Sequence, residues 1–126
     1  MATITTSIKP GKQRKAWYNL PLHARKALMS AHLSKELRKS LKRRALPLRK
    51  GDKVRVVRGG RNGSGGKIAR VDRVKGFAFI EGLKRRKADG KEVLVPIRPS
   101  NLVIEEIDTA DALRLGTKAE KGKEKK

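Results

Sequence analysis

From Lys50 onward apolar residues alternate with polar ones in short runs, the period of half-buried strands. Val54 and Val56 alternate with Arg55 and predict a first strand over 54–57. A loop over Gly59–Gly66 follows, then a second strand over Lys67–Arg73. Lys75-Gly76 predicts a turn, and the apolar run Phe77–Leu83 a third strand, continuous enough to be buried on both faces. Leu83–Gly90 reads as a basic loop with the hairpin pair Asp89-Gly90. Val93, Val95 and Ile97 alternate in a fourth strand over Glu92–Ile97; after the Pro99-Ser100-Asn101 turn, Leu102–Ile104 makes a fifth. Five short strands joined by glycine turns predict a mainly β chain closed into a small antiparallel barrel, because closure removes sheet edges.

The pattern before Lys50 is different. Residues 1–19 are polar and basic, with Pro10-Gly11 as a breaker, and read as an arm without a core. Asn19 and Pro21 suit the start of a helix running to Ser30, with Leu22, Ala24, Ala27, Leu28 and Ala31 on one face. Ser34 can cap a second helix reaching Arg43 at most, and Pro47 stops any continuation. After the last strand, Asp111–Leu115 suggests one helical turn, and Gly116–Lys126 is a Lys/Glu tail read as disordered. The expected organisation is a basic arm with two short helices over 1–48, a barrel over 49–108 and a tail over 109–126.

Charge sets the function class. The 126 residues carry a formal net charge of +22, a density that self-repels unless a polyanion relieves it. Residues 1–50 hold 14 Lys and Arg against the single acid Glu36, and residues 51–100 hold 14 against 5. The last 26 residues hold 6 of each, so the polyanion is expected to meet the first four-fifths of the chain. Cysteine is absent, which excludes a disulfide framework and thiolate metal sites. No apolar run approaches a membrane span, and the N-terminus lacks the order of a secretory signal, so a soluble intracellular protein is expected.

The glycine loop fails as a nucleotide-binding loop. A Walker-type loop ending at Gly66-Lys67 would need Gly at 61 and Ser or Thr at 68, where Arg61 and Ile68 stand. A dinucleotide fingerprint from Gly63 would need Gly at 68 and a long helix. His23 and His32 lie nine apart without cysteine or clustered acids, so no metal or other cofactor is expected. Glu105, Glu106 and Asp108 have no nearby base in sequence, and no enzyme activity or small-molecule substrate is expected. For Trp17 and Tyr18 two readings stand open: stacking on an unpaired base, or pinning the arm to the barrel. Phe77 and Phe79 are read as core.

The stretch from Gly51 to Ile68 resembles a KOW motif, a short RNA-binding signature. It is matched at Gly51, Asp52, Val54, Val56, Gly59, Gly63, Gly66 and, conservatively, Ile68; Asn62 stands where lysine is usual. Leu33–Arg38, the link Ala45–Asp52 and Ile97–Leu102 extend the likeness over roughly residues 9–108. Together these segments resemble the universal KOW-bearing protein family of the large ribosomal subunit, number twenty-four in the bacterial series and twenty-six in the eukaryotic one, in its archaeal-type form. Many relatives carry histidine before the Pro-Ser-Asn turn, where Arg98 stands here.

The resemblance implies an SH3-like barrel that binds large-subunit rRNA directly, early in assembly, near the nascent-peptide exit. It also implies a monomer within the cytoplasmic ribosome, beside neighbouring large-subunit proteins. Candidate rRNA-binding residues are Lys12, Arg14 and Lys15 on the arm, and Arg25, Lys26, Arg38, Lys42, Arg43 and Arg44 around the helices. Arg49, Arg55, Arg58, Arg61, Asn62 and Lys67 belong to the motif, where the loop is expected to present backbone N–H groups as well. Lys84, Arg85, Arg86 and Lys87 complete the set. Two other classes, a KOW-type transcription elongation factor and a general RNA chaperone, share the barrel chemistry. Residues 1–49 are too short and too basic for the polymerase-binding domain the former carries.

Overall fold

The computed structural model describes residues 5–108 together with Arg114 and Leu115. The helical turn expected over Asp111–Leu115 falls largely outside those residues, and the Lys/Glu tail wholly so.

Seven strands form one sheet in the order β2-β1-β7-β3-β4-β5-β6. The five expected strands are β3 (Lys53–Val56), β4 (Gly65–Asp72), β5 (Phe77–Arg86), β6 (Glu92–Ile97) and β7 (Leu102–Glu106). All neighbours among these five pair antiparallel, as expected. Alternation decides which side chains face inward: in β3, Val54 and Val56 are buried while Lys53 and Arg55 are exposed. Register shifts between Ile68 and Arg70 and between Phe79 and Lys84 mark irregularities that curl the sheet. The curl gathers Leu46, Val54, Ile68, Ile80, Ile97 and Ile104 into one core, the SH3-like barrel that the motif implied. Burying each such side chain stabilises the fold by about 1.5–3 kcal/mol.

The N-terminal extension departs from expectation in four ways. Residues 10–18 are helical: α1 spans Pro10–Tyr18, with Pro10 initiating rather than breaking the helix. α2 spans Leu22–Leu28 and stops short of Ser30, because the chain turns there into strand β1, Ser30–Leu33. The expected apolar face of that helix does not form: Leu22 is exposed and Ala31 is buried in β1. α3, Lys35–Leu41, is the second expected helix, with the Ser34 side chain accepting from the Leu37 N–H as its cap. It ends at Lys42, whose φ of +50° lies in the left-handed region. The extension thus holds three helices rather than two.

It also supplies two strands. β2, Ala45–Pro47, pairs antiparallel with β1, and β1 pairs parallel with β7 at His32–Val103 and Leu33–Ile104. Met29, Ala31, Leu33, Leu46 and Leu48 are buried. This explains how a segment too poor in apolar residues to fold alone becomes ordered: its few large side chains complete a core begun by the barrel.

β5 differs as well. It alternates instead of being buried on both faces, with Ala78 and Ile80 inside and Phe77 and Phe79 half-buried. It also runs through Arg86, so Lys84, Arg85 and Arg86 stand on a strand and only the turn around Asp89-Gly90 is loop.

Two glycines separate packing from turn geometry. A Cβ at Gly66 would lie 2.9 Å from the Glu81 carbonyl oxygen and 2.9 Å from Ile80 Cγ2, where β4 crosses β5. A Cβ at Gly60 would meet nothing within 4 Å. Gly66→Ala is therefore expected to destabilise by about 1–3 kcal/mol, and Gly60→Ala by less than about 0.5 kcal/mol, in urea unfolding. Equal effects would contradict this packing.

Candidate nucleic-acid interface

The KOW loop is built from the inside. The Gly63 N–H donates to the Val56 carbonyl at 2.9 Å, Asn62 N–H to Gly59 at 3.1 Å, and Ser64 N–H to Arg61 at 3.1 Å. Gly59 and Gly63 have φ of +96° and +85°, which only glycine adopts freely. The expected cradle of outward amides is thus corrected in part: three of the loop's N–H groups hold its own turn. What the loop offers outward is side chains. Arg58, Asn62 and Lys67 are exposed, and no hydrogen bond or ion pair engages the Arg58 and Lys67 side chains among the described residues. Arg61 donates from its guanidinium to the Lys84 carbonyl at 3.3 Å, tying the loop to β5. The loop and the β5–β6 hairpin therefore lie side by side, and Arg85, Arg86 and Lys87 extend the same basic region.

Two predicted arginines hold the fold together. Arg25 donates to the carbonyls of Tyr18 at 2.6 Å, Val74 at 2.7 Å and Leu20 at 2.8 Å, joining α1 to the β4–β5 turn. Arg38 donates to the Leu33 carbonyl at 2.8 Å. Arg55 pairs with Glu105 at 2.8 Å and Lys84 with Glu92 at 2.9 Å, so part of their charge is compensated. Lys53 pairs with Glu106 at 2.7 Å, and that hydrogen bond holds its ammonium pKa above the usual value. Arg43 and Arg49 are half-buried. By contrast Lys12, Arg14, Lys15, Lys26, Lys42 and Arg44 are exposed without a carboxylate partner among the described residues.

The structure adds cations that the sequence reading passed over. An open groove of about 720 Å³ is lined by Leu48, Arg49, Lys50, Ala69, Arg70, Val71 and Arg73, with no acidic side chain among them. The Arg70 guanidinium lies over the Phe79 ring, 4.6 Å from its centroid. Arg98 stands over Phe77 at 5.2 Å and Trp17 at 5.9 Å, so the arginine before the Pro-Ser-Asn turn fastens α1 to the barrel. A clue to Arg70 and Arg73 was available: each is a cation on a strand otherwise read as half-buried.

One motif residue serves stability alone. Asp52 is fully buried; its carboxylate accepts from both terminal guanidinium nitrogens of Arg114, from the Arg49 N–H at 2.9 Å and from the Asp108 N–H at 3.2 Å. Arg114 also donates to the Pro47 carbonyl at 3.1 Å. Nothing in the sequence pattern singled out Arg114.

The arrangement is a small barrel in which Asp52, Glu105 and Glu106 are engaged by Arg114, Arg55 and Lys53. Arg58 and Lys67 beside the loop, Arg85, Arg86 and Lys87 on the hairpin, and Arg73 at the groove are exposed cations without an ion pair among the described residues. Over residues 7–118 the sequence matches the model of the family described as the eukaryotic ribosomal proteins L26 and their archaeal counterparts, numbered twenty-four. The chain belongs to this ribosomal family. It is a large-subunit ribosomal protein of the KOW type, and the family is structural rather than enzymatic. Among the described residues no helix is long and apolar enough to cross a membrane.

Proposed function

We propose that this large-subunit protein binds rRNA directly, as a clamp of phosphate contacts without base-edge readout. The observation that carries the reading is the Arg61–Lys84 hydrogen bond, which brings the cation-rich KOW loop against the β5–β6 hairpin that carries Arg85, Arg86 and Lys87. Cations without acidic partners release counterions when they meet phosphates, which supplies affinity; the rigid barrel supplies shape. Arg58, Lys67, Arg85, Arg86 and Lys87 are the contacts favoured here, with Lys12, Arg14 and Lys15 on α1 as a second arm. Lys50, Arg70 and Arg73 join them from the groove. Arg25 and Arg38 act by holding the arm in place.

α1 fits this role. It has nine residues, no buried side chain, no side-chain cap and no acid in its first turn. Such a helix is marginal in isolation, and a phosphate-rich surface around Lys12 and Lys15 would stabilise it. Binding early in assembly, near the nascent-peptide exit in the cytoplasmic ribosome, is what family membership implies for the site.

With about ten phosphates neutralised, binding to deproteinised large-subunit rRNA is expected to show a log–log salt slope of about −7 to −9. Filter binding across a salt series measures it. A slope near zero would remove the reading.

A further inference from the structure

Two clefts share one aromatic pair. Trp17 and Tyr18 line a cleft of about 240 Å³ with Arg14 and Arg98. They also border a second cleft, formed with Arg25, Leu28, Arg73, Val74 and Gly76. The two rings are placed differently. Trp17 is half-buried, over Gly76 and against Arg98. Tyr18 is 69% exposed and meets Trp17 edge-on, with centroids 5.7 Å apart and planes at 85°. No hydrogen bond engages its hydroxyl among the described residues.

The backbone under Tyr18 is fixed. Its carbonyl receives the Arg25 guanidinium, which in the same grip holds Leu20 and Val74. The β4–β5 turn that carries Val74 is itself tied, since Asp72 Oδ1 accepts from the Val74 and Lys75 N–H groups at 3.0 Å each. Those bonds, the one from Lys75 above all, hold the Asp72 carboxyl pKa below its usual value. An exposed aromatic ring on a rigid seat loses little freedom when it gains a partner. Arg14 and Arg73 stand at the two clefts without carboxylate partners among the described residues.

A flat π surface between cations matches one chemistry well: a nucleotide, which offers an aromatic face and a phosphate on each side. A duplex hides its base faces, so the occupant must be unpaired. We propose that Tyr18 is a stacking platform for an unpaired RNA base, with Arg14 and Arg73 taking the flanking phosphates. This rests on the RNA-binding reading above and adds a subsite to it. Trp17 is then the wedge that positions the platform, so the two roles open to the aromatic pair fall to different rings.

The test uses the full chain with two probes, single-stranded poly(A) and a blunt RNA duplex of equal phosphate number. Tyr18→Ala is expected to weaken poly(A) binding about tenfold, leaving duplex affinity and both salt slopes unchanged; Tyr18→Phe keeps the ring and stays within about twofold of the parent. Equal loss on both probes, or no loss on either, overturns the platform while leaving RNA binding in place. Failure of the parent chain to bind either RNA in dilute salt overturns the RNA-binding reading and the platform with it. Tighter, Tyr18-dependent binding of poly-glutamate than of poly(A) overturns the platform in favour of an acidic protein segment.

Discussion

Asp52→Ala is expected to lower unfolding stability by about 3–5 kcal/mol, most of what a domain this small has to lose. The change strands the Arg114 guanidinium in the core and also deprives the Arg49 and Asp108 N–H groups of their acceptor. An uncompensated buried cation is worse than none, so the damage should exceed that of removing the pair. Replacing both partners with apolar residues, Asp52→Leu with Arg114→Met, is therefore expected to recover a substantial part of the loss. Urea unfolding of the two single variants and the double variant measures this cycle. A loss under about 1 kcal/mol for Asp52→Ala, or strict additivity, would show that the pair is not the lock its geometry indicates.

The second large effect concerns RNA. Replacing Arg85, Arg86 and Lys87 together by alanine is expected to make the salt slope shallower by about 2–3 units and to weaken rRNA binding roughly a hundredfold near 0.1 M salt. All three are exposed and carry no ion pair among the described residues, so stability should change by less than about 1 kcal/mol. The same substitution at Lys53, Arg55 and Lys84 should change the slope less, because each already faces a glutamate at 2.7–2.9 Å. Filter binding at several salt concentrations separates the two triples. Equal slopes for the two would mean that exposure, and not missing carboxylates, decides which cations meet phosphate.

The barrel was legible because its signals are local. Val54 and Val56 recur on one face with exposed Arg55 between them, Val95 and Ile97 do the same around Pro96, and Gly63, Asp89-Gly90 and Pro99 mark the reversals between strands. The extension was not, because its order comes from distant partners. Ala31 and Leu33 are only two alternating positions, too few to separate a strand from a helix end; β2 and β7 settle the matter, pairing Ala31 with Leu46 and Leu33 with Ile104. α1 begins at a Pro-Gly pair that reads as a break, and Trp17 and Arg98, 81 positions apart, hold it to the barrel. For the interface, charge named the partner class, but no pattern could tell a cation facing solvent from one engaged within the protein. Arg25, gripping three carbonyls, and Arg58, gripping none, look alike in one dimension.

The parallel ladder between β1 and β7 bears on how the polypeptide matures as it is synthesised. β7 lies between β1 and β3, so the last strand made is an inner one. A growing chain that has not reached residue 102 has a vacant lane in the middle of its sheet, with an unmet edge on either side. Its cation-dense first half must wait, exposed, until some seventy further residues have been added, the kind of long-range closure that slows folding. Maturation is thus tied to completion: a prematurely ended product keeps its affinity for polyanions and lacks the strand that would make it a barrel.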